Sequence, residues 1–325
     1  MLNISIGDIV VEPIVTHTTG AAEHVEQTTG LGRNPIDKYY TKTGVARECV
    51  ALMRKHVSPR HLNKDIIIEP SAGSGSFISS LKTMKCQLKM YDILPDHTDV
   101  MERDYLSIPI DELRSGIGMD TGGRIHVVGN PPFGRQASLA IKFIKRSCEF
   151  ADSISFILPK SFKKDSMRRA FSPNYHLYHQ HDLDPSSFLV NDKEYDSPCI
   201  FQIWVRQTNP RTAPVVHTPT HFSFVKRPDL VPGPNQPDNI PHVAMRRVGV
   251  YAGRVLRTPT AEDAEKLSVH SHYYIRFTPK FCENNDIDVI TTRLNEIVYE
   301  PDNTVGPRSV SKNELVSAFN LCLEK

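Results

Sequence analysis

Apolar runs and amphipathic segments alternate along the chain from about residue 36 to residue 206. Six short apolar runs are typical of strands, and they lie at 65–70, 86–93, 124–130, 152–159, 175–183 and 198–206. Segments with apolar residues at helical spacing lie between them, at 77–84, 136–151 and 161–171. This alternation predicts a doubly wound, mostly parallel α/β sheet that is covered by helices on both faces. The last two strands follow each other without a helix, which favours an antiparallel pair at one edge.

The segments outside this region predict a less regular organisation. Residues 1–35 are polar and rich in Thr and Gly, and we interpret them as an N-terminal arm. The stretch 207–241 contains eight prolines, which excludes a regular helix or a central strand, so we expect a linker there. Short strand-like runs and two helical patterns follow, the last of them with Ser311 as a candidate N-cap. The predicted parts are therefore an arm (1–35), a catalytic domain (36–206) and a Pro-rich linker with a smaller α+β region (207–325).

Composition limits the classes of protein to which this chain can belong. The chain has 325 residues and a net charge of +2, and its six cysteines are scattered without a CxxC pair. The scattered cysteines favour reduced thiols, and no signal-peptide pattern is visible, so we expect an intracellular protein, cytoplasmic or nuclear. No apolar run reaches the length of about 20 residues that a membrane span needs, so we expect no membrane partner. Between residues 206 and 280 there are eleven Lys and Arg against five Asp and Glu. This local excess favours a phosphate-bearing partner, although a solvated surface explains it equally well.

A glycine-rich turn and three acidic residues indicate a site for a nucleoside. The run EPSAGSGSF begins at Glu69, follows a strand and opens a helix, and Gly73 there lets the backbone approach a ligand closely. The run is neither the dinucleotide fingerprint nor a phosphate-binding P-loop. Asp92 ends the next strand, where it can accept hydrogen bonds from both hydroxyls of a ribose, and Asp104 ends the third segment, where it can accept one from an adenine amino group. Each acid alone is more often a capping or solvated residue, but three at one sheet edge favour a binding site.

The run GNPPFG follows the apolar strand RIHVV and carries the second set of candidate residues. Its two prolines end the strand because neither supplies an N–H to the ladder. The amide oxygen of Asn130 and the carbonyl of Pro131 can accept the two hydrogens of an exocyclic amine, which would relieve the positive charge that develops on its nitrogen. Phe133 beside them offers an aromatic face for stacking.

Taken together, these motifs resemble those of the class I S-adenosylmethionine-dependent methyltransferases, specifically the N6-adenine DNA methyltransferases of the gamma motif order. EPSAGSGSF resembles their nucleoside-binding motif, NPPF their catalytic motif, and DKYYTKTGVA (37–46) an upstream element that packs against the cofactor. The resemblance covers about 37–206. It implies a Rossmann-like, seven-stranded methyltransferase sheet, S-adenosylmethionine as cofactor, no metal, and a target-recognition region in 207–325. The implied reaction is methyl transfer to the N6 amine of adenine in DNA. The NPPF motif would hold that base out of the stack, and Phe133 would stack on it, which requires a base that is flipped or single-stranded.

The resemblance also implies roles for individual residues. The cofactor would be bound by Tyr40, Thr41, Glu69, Ser71, Gly73, Gly75, Asp92 and Asp104, and the amine by Asn130, Pro131, Pro132 and Phe133. Phe188 is a candidate for the second stacking face of the base. Arg246 and Arg247 are candidates for contacts with phosphates or a guanine edge.

Several alternatives remain open at this level. NPPF also occurs in RNA adenine and guanine N-methyltransferases, and a close variant occurs in protein glutamine methyltransferases. A catalytically silent nucleic-acid-binding module of the same fold is a further alternative, which the intact motifs disfavour. The histidines of HLYHQHD do not indicate a zinc site, because a strand places His176 on the opposite face from His179 and His181. The sequence leaves the recognised base sequence and the oligomeric state open.

Overall fold

A seven-stranded sheet dominates the computed structural model of the protein, which describes residues 39–57, 64–116, 122–190, 193–225, 240–299 and 308–324. The strands of these residues are β1 (Tyr40–Thr41), β2 (Ile66–Glu69), β3 (Gln87–Asp92), β4 (Met101–Glu102), β5 (Ile125–Gly129), β6 (Ser153–Pro159), β7 (Tyr175–Asp182), β8 (Phe188–Val190), β9 (Lys193–Tyr195), β10 (Cys199–Arg206), β11 (Phe222–Val225), β12 (Val243–Arg246), β13 (Val255–Arg257) and β14 (His272–Phe277). The helices are α1 (Thr43–Val57), α2 (Ile78–Lys82), α3 (Ile110–Arg114), α4 (Ser138–Cys148), α5 (Asp165–Arg168), α6 (Ala261–Glu265), α7 (Pro279–Asn284), α8 (Ile287–Asn295) and α9 (Lys312–Leu323).

The central sheet has the strand order β4-β3-β2-β5-β6-β10-β7. Its first five strands run parallel to one another, and β10 pairs antiparallel with both β6 and β7. The predicted seven-stranded, mostly parallel α/β sheet is therefore confirmed. All six predicted strand segments of 36–206 are strands of this sheet.

Helices cover both faces of the sheet, as expected for strands that are apolar at almost every position. Every residue of β2, β5 and β6 is buried. On one face α4 packs against the sheet through Phe143 and Ile144, and on the other face α1 packs through Cys49 and Met53. The two resulting apolar clusters hold the strand ends, and hence the loops that follow them, in fixed positions.

All three predicted helices are shorter than their patterns indicate, and the segment 77–84 is helical only at Ile78–Lys82. The segment 136–151 begins its α-helix only at Ser138, because Gln136 and Ala137 have φ angles of 53° and 61°. The segment 161–171 divides into a 3-10 turn and the four-residue α5, because Lys164 is extended between them. The N-terminal arm predicted for 1–35 lies outside the described residues.

The C-terminal region contains a four-stranded antiparallel sheet with the order β11-β14-β12-β13, and β1, β8 and β9 form a separate three-stranded sheet. Helix α6 covers one face through Ala264, and α7, α8 and α9 cover the other. Ser311 caps α9 as predicted, in a reciprocal capping box with Glu314. Strand β10 ends at Arg206 and β11 begins at Phe222, so the boundary proposed at residue 207 follows the last strand of the central sheet. Within the described ranges, no helix is long and apolar enough to cross a membrane.

Candidate active site

The candidate site lies where the strand order of the central sheet changes direction. From β2 the chain adds β3 and β4 on one side and then returns to add β5 and β6 on the other. Ligands of open α/β sheets bind at such a switch point, beyond the carboxyl ends of the strands. Glu69 is the last residue of β2, Asp92 is the last residue of β3, and Asn130 follows β5. Three of the predicted site residues are therefore brought to the same edge of the sheet.

Glu69 is a buried acid at the centre of this edge. Its side chain is 1% exposed, and its Oε2 atom has no hydrogen-bond partner among the described residues. Burial, and secondarily the negative charge of Asp92, raises the pKa of Glu69 to about 8. A buried acid of raised pKa in a crevice is typical of a functional site, since a positive charge or a donor beside it would stabilise its ionised form.

The glycine corner after β2 is bound directly to the end of β3. The Gly73 N–H donates to Asp92 Oδ2 at 2.8 Å, and the Leu94 N–H donates to Asp92 Oδ1 at 2.9 Å. Gly73 has a φ of 49°, and a Cβ atom there would lie 3.2 Å from Cε1 of the Tyr40 ring. The corner thus requires glycine for its conformation and for the close approach of Tyr40. A carboxylate accepts about four hydrogen bonds, so Asp92 keeps capacity for a ligand.

Strand β1 joins this corner to the segment that follows β7. The Tyr40 hydroxyl donates to the Asp96 carboxylate, and β1 pairs antiparallel with β8, with Thr41 opposite Phe188. The side chain of Thr41 is buried, and Phe188 is 1% exposed within the apolar cluster that contains Cys49. The stacking role of Phe188 stays a prediction, and its burial leaves no exposed ring face for a base.

Asn130 is oriented by two hydrogen bonds of the surrounding loops. Its Nδ2 donates to the Tyr39 carbonyl at 3.2 Å, and its own backbone carbonyl accepts from Ser71 Oγ at 3.1 Å. Its Oδ1 is buried and has no partner within the described chain. Leaving a buried acceptor unpaired costs about 1–3 kcal/mol, and such exceptions in folded proteins require an explanation. The arrangement therefore fixes one buried amide acceptor at this edge of the sheet.

The rest of the GNPPFG run anchors this asparagine to the core. Pro131 is buried, and Phe133 is half-buried at the sheet edge, where it contacts the apolar clusters of both faces. The Phe133 carbonyl accepts the N–H of Leu139 at 3.1 Å, which ties the run to the first turn of α4. Asn130 and Phe133 are therefore held on well-packed elements, as a site that positions a substrate requires.

The remaining predicted residues lie outside this central group. Gly75 has a φ of 79° and lies against Ile78 in the helical turn. Asp104 is exposed, and its Oδ1 accepts the N–H of Leu106 at 3.0 Å, as a turn-capping residue does. Arg246 and Arg247 belong to the C-terminal sheet region, where their Nε atoms donate to the carbonyls of Val248 and His270. The described residues contain no group of His, Cys, Asp and Glu side chains that could hold a metal ion.

Two contacts of the site were not predicted from the sequence. The Tyr39 carbonyl orients the Asn130 amide, and a backbone acceptor has no signature in residue type. The Asp96 carboxylate accepts a hydrogen bond from the Tyr40 hydroxyl, and its position soon after Asp92, the acidic end of β3, could have indicated that it belongs to the site.

Comparison with known proteins finds matches over the part of the chain that carries these residues. A family model described as the EDM2 methyltransferase-like domain matches residues 61–207, which include the glycine corner, Asp92 and the NPPF run. This part of the chain is therefore similar to a methyltransferase-like domain. Protein ENHANCED DOWNY MILDEW 2 of Arabidopsis thaliana is 28% identical over 117 residues, which cover 33% of this chain and 9% of that protein. The chain thus spans less than a tenth of the length of this curated relative.

Solved structures resemble about half of the chain, more distantly. A Pyrococcus horikoshii protein described as a "putative RNA methyltransferase" is 14% identical, with a TM-score of 0.36 over 55% of this chain and 94% of that one. The M protein of the type I restriction enzyme EcoKI is 15% identical, with a TM-score of 0.34 over 55% of this chain and 46% of that one. At these values the two structures carry no argument about the substrate.

Proposed function

We propose that this protein transfers a methyl group from S-adenosylmethionine to the N6 amine of adenine in DNA. The observation that carries the proposal is the buried, unpartnered Oδ1 of Asn130, held at the switch point beside the glycine corner. An acceptor that is fixed in this way suits a substrate that brings an N–H donor into the crevice. The match to a methyltransferase-like domain supports the reaction class.

The residues around the glycine corner fit S-adenosylmethionine. The unpartnered oxygen of Glu69 suits the positively charged end of the cofactor, and half-buried Asp92 suits its ribose hydroxyls. Ile93 and Leu94, directly after Asp92, are 64% and 47% exposed and offer an apolar surface to a purine ring. When bound, this cofactor supplies a methyl group made electrophilic by its sulfonium charge.

The NPPF run would activate the amine by accepting its hydrogens. An exocyclic amine is a poor nucleophile because its lone pair is delocalised into the purine ring. The Asn130 Oδ1 and the Pro131 carbonyl would each accept one N–H, which favours a pyramidal nitrogen and disperses its developing positive charge. Phe133 would contact the base from the sheet edge. Because the methyl group is already electrophilic, positioning of the amine supplies most of the remaining catalysis.

The choice of DNA rests on the C-terminal region and on the form of the motifs. Arg246, Arg247 and Arg254 have no carboxylate partner among the described residues, so they can meet phosphates. Adenine or guanine in RNA is the second candidate acceptor, and glutamine in a protein is the third, because the NPPF chemistry serves an amine in any of them.

The test is methyl transfer from labelled S-adenosylmethionine to DNA, RNA and protein in parallel, followed by mass spectrometry of the products. The proposal predicts N6-methyladenine in DNA as the main product. Label that appears only in RNA or only in protein would overturn the choice of DNA, and the absence of label in all three would overturn the activity. A reaction without acceptor is the control for self-methylation.

A further inference from the structure

The loop of residues 248–254, between β12 and β13, carries two strongly exposed apolar side chains. Val250 is 85% exposed and Tyr251 is 60% exposed. Both lie at the tip of the loop, whereas the next residue, Ala252, is 6% exposed and packs into the core of the C-terminal region. Burying large apolar side chains is favourable, so a conspicuous exposed pair at a loop tip indicates a contact surface.

Hydrogen bonds and two glycines hold this loop in a defined shape. The Ala252 N–H donates to the Gly249 carbonyl at 2.9 Å, and the Gly253 N–H donates to the Arg246 carbonyl at 2.7 Å. The two glycines have φ angles of 93° and 101°, and a Cβ atom on Gly253 would lie 2.8 Å from the Tyr299 ring. The tip is therefore built as a rigid projection, which lowers the entropic cost of inserting it into a partner.

The charges around the tip favour a polyanionic partner. Residues 243–258 contain four arginines and no acidic residue, and of the four only Arg257 pairs with a carboxylate in the described part of the chain, that of Asp288. The guanidinium of Arg246 lies 5.9 Å from the centre of the Tyr251 ring, and Arg254 is exposed at the end of the loop. An apolar tip flanked by Arg246 and Arg254 matches the surface of a nucleic acid, where stacked bases lie between rows of phosphates.

The loop is connected to the edge of the central sheet that carries Asn130. The Gly249 N–H donates to the Arg308 carbonyl at 2.9 Å, and Val248 forms a β-bridge with Ser309. The Ser309 carbonyl accepts from Lys164 Nζ at 2.5 Å. Lys164 follows β6, which is parallel to β5, so it belongs to the same carboxyl edge as Asn130. Through Ser309 and Lys164 the loop is therefore tied to the carboxyl end of the sheet, the end at which Asn130 lies.

We propose that the 248–254 loop is a wedge for base-paired nucleic acid, in which Val250 and Tyr251 enter the base stack and occupy the space that the extruded target base leaves. Extrusion of a base breaks its pairing and stacking, and an inserted apolar side chain restores part of the lost contact. Arg246 and Arg254 would contact the adjacent phosphates. This inference rests on the proposed function, since it supplies the step that brings the target amine to Asn130.

The test compares kcat/KM for methyl transfer to duplex and to single-stranded DNA of the same sequence, with a duplex RNA arm to distinguish the two polymers. The variants are Val250→Ser and the double variant Val250→Ser, Tyr251→Ser. Val289→Ser is the matched control, because Val289 is 57% exposed on α8, outside the loop. We expect the ratio of duplex to single-strand kcat/KM to fall about tenfold in the double variant, since stacking of one base is worth a factor of this order or more. The control should keep the wild-type ratio.

A second measurement follows base extrusion directly. A duplex with 2-aminopurine at the target position should become more fluorescent on binding the wild-type protein and much less so on binding the double variant. An unchanged ratio, an equal loss on both substrates, or an undiminished fluorescence response would overturn the wedge. These results leave the proposed function standing, whereas a wild-type protein without methyl transfer to any acceptor would overturn the function itself.

Discussion

Replacing Glu69 by Gln should remove a large part of the pH dependence of stability. In the folded protein the Glu69 carboxyl is 1% exposed, and burial together with the charge of Asp92 raises its pKa from 4.5 to about 8. In the unfolded chain the pKa returns to its ordinary value. Between the two pKa values the folded state keeps the proton while the unfolded state loses it, so the free energy of unfolding falls as the pH rises from about 4.5 to about 8.

The size of the effect follows from the shift. One pKa unit corresponds to about 1.36 kcal/mol, so the difference between 4.5 and about 8 sets an upper bound of about 5 kcal/mol. Relaxation around the ionised group and entry of water reduce this figure, and we expect a loss of about 2–5 kcal/mol between pH 4.5 and pH 9. Gln has a similar shape without a charge to desolvate. The variant should therefore be more stable than the wild-type protein at pH 9, and the difference should vanish toward pH 4.5.

Urea unfolding of both proteins across pH 4.5–9 measures this directly. Glu283→Gln is the matched control, because Glu283 is exposed on α7 and its replacement also removes one carboxylate. Parallel pH profiles of stability for the wild-type protein and the Glu69→Gln variant would refute the reasoning.

The titration of Glu69 should also affect binding of the cofactor. Affinity for S-adenosylmethionine should rise with pH toward 8 more steeply in the wild-type protein than in the variant. The cofactor's own amino group titrates in the same pH range, and the profile of the variant corrects for that contribution.

Three further changes test other parts of the site. Asp92→Ala should weaken binding of S-adenosylmethionine by tenfold or more in calorimetry, because hydrogen bonds to a charged group are worth about 1.5–3 kcal/mol; an unchanged affinity would contradict its role at the ribose. Gly73→Ala should weaken that binding far more than Gly122→Ala, because both glycines have a positive φ but only Gly73 lies against the Tyr40 ring. If the two substitutions weakened binding equally, the effect at Gly73 would be explained by backbone strain of about 1–2 kcal/mol alone, and its contact with Tyr40 would have no role in binding. Arg247→Gln should lower the slope of log affinity for DNA against log salt by about 1, and an unchanged slope would remove this arginine from the phosphate contacts.

Much of the sheet could be predicted from the sequence because its strands are long and buried. The runs at β2, β5 and β6 are mostly apolar, and the acids and prolines at or just after their ends indicated where each strand stops. The short strands β1, β8 and β9 could not be predicted, because two or three residues contain no measurable period. The position of Phe188 follows from that pairing, since β8 turns its ring into the core.

The candidate site could be predicted in its residue types and less well in its connections. The sequence placed Glu69, Asp92 and Asn130 at strand ends, and parallel strands bring such ends to one edge. It did not indicate that Tyr39 orients the Asn130 amide through a backbone carbonyl, because every residue carries one. Nor could it indicate the raised pKa of Glu69, which depends on burial from all sides. The exposure of Val250 and Tyr251 also required the fold, since a turn between two strands can face either way.

Asn130 is the residue that we propose presents its amide oxygen to the target amine. Asn130→Ala tests this role most directly when methyl transfer to adenine in DNA and binding of S-adenosylmethionine are measured on the same preparation. The variant should lose kcat for N6-methyladenine formation by about a hundredfold or more, as expected for removal of a preorganised group that stabilises developing charge. Its affinity for S-adenosylmethionine should stay within a few-fold of the wild-type value. Methyl transfer by the variant at nearly the wild-type rate would contradict the claim.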